Sequence, residues 1–263
     1  MSRNLLVRTK GGGIFSTFII AIQSILKQVN DLENINNIYI EFDKNIDNPR
    51  HYFHLDNNVY NFVFDQSNDN INSIIQGEVY PDHIYPNLAK IDEDVLNKMK
   101  FIVSKLKLKP AVTTKINPKI DKNTLGVHVR VTDMRAGHPE YFLNERTKDT
   151  YISKIEEIVS ENANINKIFI ASDNDDLLSE LKKYFPNLIS NDVSNRWHTK
   201  DDIIFPPGYT EYQYQQMANE QFWIDSFVEM YSLSKCGYLL YSTSNLSHSS
   251  LFFSDTISKI YKL

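Results

Sequence analysis

The sequence of 263 residues contains one cysteine, Cys236, and only eight glycines. A single cysteine excludes an intramolecular disulfide and a metal site built from several thiolates, and it is compatible with a reducing compartment. The low glycine content, together with 41% hydrophobic and 23% charged residues, excludes fibrous and disordered chains. We therefore expect a globular protein in which Cys236 is a small core residue.

The sequence also lacks a surplus of positive charge. Its formal net charge is -5 at pH 7, whereas a protein that binds nucleic acid normally carries basic residues that neutralise the phosphate backbone. This balance argues against a nucleic-acid partner. A small phosphorylated ligand would need cationic side chains placed locally at its binding site.

Long hydrophobic runs are absent as well. The longest candidate, residues 14–22, follows Arg3, Arg8 and Lys10 in the manner of a targeting signal. It is shorter than the roughly 20 apolar residues that span a bilayer, and no small-residue cleavage site follows it. A buried strand, turn and helix explain the segment better, so we expect a cytoplasmic protein without a membrane span.

The hydrophobic pattern of the first half predicts a parallel βαβ unit. A strand-like run at residues 4–9 precedes a helical apolar face at residues 15–26, and a second strand follows at residues 37–42. Residues 43–89 show no clear period, which indicates loops with short strands. A helix over residues 92–106 completes this half.

The second half alternates strands with helices of about 10 to 15 residues, which predicts a doubly wound parallel sheet. The predicted elements are strand 125–131, helix 150–160, strand 167–171, helix 175–184, strand 188–189, helix 220–234, strand 238–241 and a helix from about Ser244. A polar connector at residues 113–122 separates the two halves. We therefore predict two domains, residues 1–112 and residues 113–263.

Polar residues follow three of the predicted strands. Ligands of open α/β sheets bind beyond the carboxyl ends of the strands, so these residues are candidates for a site. The first run, residues 126–133, contains Arg130, whose guanidinium can hold a phosphate through two parallel hydrogen bonds. After the second strand, Ser172 or Asp173 can cap the next helix. The third strand leads into a helix N-terminus, where free backbone N–H groups bind phosphate well; its polar residues are Ser242, Thr243, Ser244 and Asn245.

These three segments resemble a known family. The run GVHVRVTD at residues 126–133 is similar to the HVRRTD-type motif of the α-1,6-fucosyltransferases and the rhizobial nodulation fucosyltransferases, and more loosely of the α-1,2- and protein O-fucosyltransferases. FIASDNDDLL at residues 169–178 and the stretch from Trp223 to Tyr238 resemble the later motifs in order and spacing. The resemblance covers residues 124–250. It implies a GT-B-like fold with two Rossmann-like domains facing a cleft, the N-terminal one on the acceptor side and the C-terminal one binding the nucleotide sugar.

The resemblance also implies roles for single residues. Arg130 would bind the β-phosphate of the donor, and Ser244 would contact the pyrophosphate. The other implied donor-site residues are Gly12 and Gly13 of a glycine-rich loop across the cleft, His128 on its strand, Asp173 near the guanine or ribose, and Asp225, which would hold the site together. The chain departs from the motif at Val131, where the family has a second arginine, and at Asn174, where it has a second aspartate.

The activity that the resemblance implies is that of an inverting, metal-independent glycosyltransferase. It would move fucose, or a related sugar, from a GDP-sugar to a glycan hydroxyl, and no cofactor is expected. Arg130 and the helix N-terminus would stabilise the charge that grows on the departing phosphate. Inversion also needs a base for the acceptor hydroxyl. His138 occupies the corresponding position by direct register, and Glu140 and Asp133 are further candidates.

Two other functional interpretations of these residues, and one structural interpretation of Arg130, stay open. Asp173 and Asp175 imitate a DxD metal site, which would suit a metal-dependent glycosyltransferase, although carboxylates at a helix N-terminus also act as caps and solvated charges. Val131, in place of the second arginine, would suit a non-catalytic module that binds a nucleotide sugar or a glycan. Arg130 could also be a structural residue that is ion-paired with Asp133 or Asp173.

Overall fold

The structure of the chain, a computed structural model, describes residues 3–9, 14–42, 58–66, 70–78, 91–129, 148–193, 220–242 and 244–263. Strands and helices alternate through most of these ranges, and two helices follow one another before the fourth strand. In chain order the elements are β1 (Arg3–Thr9), α1 (Ile14–Gln28), β2 (Ile35–Phe42), α2 (Tyr60–Val63), β3 (Ser73–Gln76), α3 (Glu93–Val103), α4 (Pro110–Thr113), β4 (Thr124–Val129), α5 (Lys148–Glu161), β5 (Lys167–Ser172), α6 (Asp175–Tyr184), β6 (Leu188–Ile189), α7 (Glu220–Leu233), β7 (Tyr238–Tyr241), α8 (Asn245–Phe252) and β8 (Lys259–Lys262). The predicted α/β class is confirmed.

The N-terminal sheet has the parallel order β2-β1-β3. The middle of its central strand is apolar, and Leu5 and Val7 are fully buried there. α1 packs on this strand and buries Phe18 and Ile22 at helical spacing, so the predicted βαβ unit is confirmed. Within the described ranges, no helix has the length and apolar character that a bilayer crossing requires.

The C-terminal sheet is parallel, with the order β6-β5-β4-β7-β8. The chain moves outward from β4 through β5 and β6, then returns to the other side of β4 for β7 and β8. In order of appearance this is 3-2-1-4-5, the Rossmann arrangement, whose direction reverses between the first and fourth strands. The switch point therefore lies between β4 and β7. The edge strand β8 was not predicted from the sequence.

Helices cover both faces of the C-terminal sheet. Val127 and Ile170 are buried on one face in a cluster with side chains of α5 and α6. Phe169 and Leu239 point to the other face and join a cluster that includes α7. Successive strand residues alternate between the faces, so the predicted doubly wound sheet is confirmed.

The apolar cluster on the α7 side extends into the N-terminal half. The Phe227 ring of α7 lies 4.9 Å from the Phe15 ring centroid and 5.4 Å from that of Phe64. α8 likewise contacts α1 and α3. The core is thus continuous between residues on the two sides of the predicted boundary at 112/113, and that boundary stays a prediction.

Close backbone packing holds the amino ends of β4 and β7 together. A Cβ atom at Gly237 would lie 1.8 Å from the carbonyl oxygen of Lys122, so a side chain there would displace the backbone. Gly237 also donates its N–H to the carbonyl of Thr124 at 3.1 Å. The neighbouring Cys236 is fully buried, which confirms it as a core residue, and this burial raises the pKa of its thiol.

Candidate functional site

The carboxyl ends of β5, β4 and β7 lie side by side. Val129 at the end of β4 is opposite Ser172 at the end of β5, and Val127 is opposite Leu240 of β7. Because the three strands are parallel, their carboxyl ends lie at one edge of the sheet, as the sequence predicts. This edge contains the switch point, where ligands of this fold class bind.

Some of the predicted site residues fall outside the part of the chain that the structure describes. They are Gly12, Gly13, Arg130, Asp133, His138, Glu140 and Thr243. The assignments of a phosphate ligand and of a general base therefore stay predictions. The remaining predicted residues are described: His128, Asp173, Asp225, Ser242, Ser244 and Asn245.

A buried hydrogen bond crosses the switch point. His128, the penultimate residue of β4, is 4% exposed. Its Nδ1 lies 2.6 Å from Oγ of the fully buried Ser247 on α8. The pair attaches the helix after β7 to the strand that leads into Arg130. Sequence reasoning named His128 but missed Ser247, because the partner lies far along the chain and no motif position marked it.

The N-terminus of α8 lies directly after β7. Ser244 is its N-cap, and the Ser244 hydroxyl accepts a hydrogen bond from the N–H of Leu246 at 3.4 Å. Ser242 Oγ and Asn245 Oδ1 are buried and, within the described ranges, have no hydrogen-bond partner. Free N–H groups in a first helical turn favour anions, so this end of α8 offers several unused polar groups at the sheet edge.

α8 itself is buried along most of its surface. Ser247, His248, Ser249 and Ser250 are all within the interior, although a helix of this length usually presents a polar face to water. Burial lowers the pKa of His248 to about 4, which keeps its imidazole neutral at pH 7. His248 and Ser249 were also missed by the sequence prediction, which stopped at Asn245 in the first turn of the helix.

The end of β5 has a different organisation from the one predicted. Asn174, not Ser172 or Asp173, caps α6, since the Asn174 side chain accepts a hydrogen bond from the N–H of Leu177 at 2.8 Å. The Ser172 hydroxyl is unsuited to that task because it accepts from the N–H of Asn174 at 3.1 Å. Asp175 occupies the first turn of α6. Among the described residues, no group of three or more His, Cys, Asp or Glu side chains could hold a metal ion.

Asp225 is a buried carboxylate on α7. It lies 3.5 Å from the ammonium of Lys115 and accepts a hydrogen bond from the Gln221 amide at 2.5 Å. Lys115 belongs to the segment after α4 that precedes β4. Asp225 therefore links α7 to the polar connector between the two halves of the sequence.

Comparisons with known proteins bear on the fold. Neither the scan with protein-family models nor the search of curated proteins gave a match. Among solved structures, the chain is similar to NodZ α-1,6-fucosyltransferase soaked with GDP-fucose, with a TM-score of 0.51 and 11% identity over 96% of this chain and 93% of that one. It is also similar to POFUT1 in complex with GDP, with a TM-score of 0.50 and 9% identity over 100% of this chain and 98% of that one. The chain thus has the GT-B-like fold of these two proteins, which the resemblance of its motifs predicts.

Proposed function

We propose that the protein is an inverting, metal-independent glycosyltransferase that transfers fucose, or a closely related sugar, from a GDP-sugar to a glycan hydroxyl. The observation that carries this proposal is the arrangement at the switch point. β4, which leads directly into Arg130 in the sequence, lies beside β7, and the N-terminus of α8 follows β7 at the same edge.

The fold supports a GDP-sugar as the donor. The NodZ structure was soaked with GDP-fucose and the POFUT1 structure contains GDP, and both proteins share their fold with this chain. The GVHVRVTD run at residues 126–133 adds a second, independent line of support, because it resembles a motif of the same transferases.

The chemistry follows from the charges of the reaction. The acceptor oxygen attacks the anomeric carbon of the sugar from the face opposite the phosphate, the bond from that carbon to the β-phosphate oxygen breaks, and GDP leaves with the electron pair. The acceptor proton passes to a base, for which Asp133, His138 and Glu140 are the candidates. The guanidinium of Arg130 and the N–H groups of α8 would stabilise the departing phosphate.

The direct test is a donor panel. The protein is incubated with GDP-fucose, other GDP-sugars and UDP-sugars in the presence of candidate glycans, and the released nucleoside diphosphate and the fucosylated product are measured. We expect GDP release and product only with GDP-sugars, and the fastest release with GDP-fucose. Turnover of UDP-sugars alone would exclude the proposed donor class.

Arg130→Ala tests the residue on which the mechanism depends most. Removal of one well-placed donor to a developing anion costs about 3 to 4 kcal/mol of transition-state stabilisation, so we expect turnover of GDP-fucose to fall at least about a hundredfold. Arg3→Ala is the matched control, because Arg3 is exposed at the amino end of β1. Near-normal turnover by Arg130→Ala would remove Arg130 from the mechanism.

Chelation and calorimetry separate the proposal from the two other functional interpretations. Activity that survives EDTA supports metal independence, whereas activity lost with EDTA and restored by a divalent cation would favour a metal-dependent enzyme that uses Asp173 and Asp175. GDP binding measured by calorimetry, without turnover of any GDP-sugar, would instead favour a binding module.

A further inference from the structure

One face of α8 carries buried polar groups without partners. Asn245, His248 and Ser249 are three and four positions apart, the spacing that places side chains on the same side of a helix. Asn245 Oδ1, His248 Nδ1 and Ser249 Oγ are all buried, and none has a hydrogen-bond partner in the part of the chain that the structure describes. We call these three residues the polar face of α8.

The neighbouring positions of the same helix are satisfied. Ser247 is hydrogen-bonded to His128, and the Ser250 hydroxyl donates to the carbonyl of Ser247 at 2.7 Å. Leu251 lies in the apolar core. The unused groups are therefore confined to the polar face and do not reflect a general lack of partners in α8.

Buried groups without partners need an explanation. Each costs about 1 to 3 kcal/mol when it is left without a hydrogen bond, and native proteins leave few of them unsatisfied. Three on one helix face, beside a helix N-terminus at the switch point, indicate that something other than the described chain completes their hydrogen bonds.

We propose that the polar face of α8 binds the hydroxyl groups of the donor sugar, an inference that rests on the proposed transferase function. A carboxamide, an imidazole and a hydroxyl each donate or accept hydrogen bonds without formal charge. Such a set matches a polyhydroxylated sugar, whereas a diphosphate favours cations and backbone N–H groups. Burial lowers the pKa of His248 to about 4, which is consistent with a neutral imidazole at working pH.

The position of the face along α8 also favours the sugar. Asn245 lies in the first turn, where a diphosphate would meet the free N–H groups. His248 and Ser249 lie one turn further along, roughly 5 Å at 1.5 Å per residue. The sugar of a nucleotide donor is bonded directly to the outer phosphate and so lies at about this separation, while the base is at the opposite end of the molecule.

Calorimetry with GDP and with GDP-fucose tests the assignment. Ser249→Ala and His248→Phe remove polar groups of the face, and Phe keeps the ring that packs against Tyr241 at 6.0 Å. We expect both variants to bind GDP with wild-type affinity and to bind GDP-fucose roughly tenfold more weakly, the loss of about one good hydrogen bond. Ser250→Ala is the matched control in the same helix and should change neither affinity.

The outcomes distinguish failure of the inference from failure of the proposed function. If the wild-type chain binds neither ligand, the proposed function fails. If it binds both, and Ser249→Ala and His248→Phe bind GDP-fucose as tightly as the wild type does, the polar face holds only water and the inference alone fails. Equal weakening for GDP and GDP-fucose would assign the face to the nucleotide and also overturn the sugar assignment. Ser249→Ala should unfold no earlier than the wild type, because its hydroxyl has no partner to lose.

Discussion

At the scale of single residues, the hydrogen bond between His128 and Ser247 connects the two sides of the switch point. Both side chains are buried and their polar atoms lie 2.6 Å apart. Ser247→Ala removes this contact, so we expect a loss of about 1 to 2 kcal/mol of unfolding free energy. If the pair also positions the phosphate site, GDP binding should weaken as well, which calorimetry on the folded variant would measure.

A double-mutant cycle isolates this pair from other effects. Ser247→Ala, His128→Phe and the double variant are compared by urea unfolding, with Ser250→Ala as the control for loss of a serine hydroxyl in α8. A direct contact predicts a coupling energy of at least about 0.5 kcal/mol. Additive effects of the two substitutions would show that the hydrogen bond contributes nothing to stability.

His248 predicts a specific pH dependence of stability. Burial lowers the pKa of His248 to about 4, below the value of roughly 6.5 expected in the unfolded chain. As the pH falls, His248 is therefore protonated in the unfolded state before it is protonated in the folded state. Its contribution to the free energy of unfolding is complete above about pH 6.5 and is lost as the pH falls towards 4. A change from pH 7.5 to pH 5 should therefore lower the free energy of unfolding by roughly 2 kcal/mol through this group.

The comparison with His248→Phe measures that contribution. Urea unfolding of both proteins at pH 7.5 and at pH 5 gives a difference in free energy at each pH, and other titrating groups cancel between the two proteins. From pH 7.5 to pH 5, we expect the wild type to lose roughly 2 kcal/mol more unfolding free energy than His248→Phe does. A constant difference would show that the imidazole titrates normally in the folded protein.

At the scale of secondary-structure elements, the N-cap of α6 sets where β5 ends and its helix begins. Asn174 is 3% exposed and its side chain accepts from Leu177 N–H. Asn174→Ala should cost about 1 kcal/mol of unfolding free energy, as cap removal typically does. Asn174→Asp keeps an oxygen acceptor and should retain most of the stability in the same urea titration. Equal loss in both variants would assign the effect to packing and not to the cap.

The sequence predicted elements well where a strong period came with clear ends. α6, β6 and β7 begin and end at the predicted residues, because apolar runs there are bounded by polar turn residues. β8, with residues Lys259–Lys262, was missed, since alternation over four residues is too short a signal and its pairing with β7 is a long-range contact. α2 and α4 were missed for a similar reason, being single short turns.

The edge of the sheet at which the site is proposed was predictable, but the contacts of its helix were not. Parallel strands bring their carboxyl ends to one edge, so the ends of β4, β5 and β7 could be assigned to one place from the sequence. The Ser247 contact and the polar face of α8 depend on which side of that helix faces β4 and α1. This orientation is set by tertiary packing, which a single sequence does not reveal.

At the scale of the whole molecule, the aromatic cluster around Phe227 connects the two halves of the chain. Phe227 on α7 contacts Phe15, Phe18 and Phe64, all of which precede the predicted boundary at 112/113. A large apolar side chain removed from such a cluster costs about 3 to 5 kcal/mol. Because the cluster contains side chains from both halves, removal of the Phe227 ring should destabilise both halves against unfolding together.

Phe227→Ala tests this coupling by calorimetric unfolding. We expect one transition in the wild type and one transition in the variant, at a lower temperature, because the cavity faces side chains of both halves. Phe101→Ala is the control: Phe101 is 36% exposed on α3 and lies outside the cluster, so its truncation should lower the unfolding free energy clearly less than Phe227→Ala does. Two separate transitions, of which only the one assigned to the C-terminal half moves, would show that the halves unfold independently and that the shared cluster does not couple them.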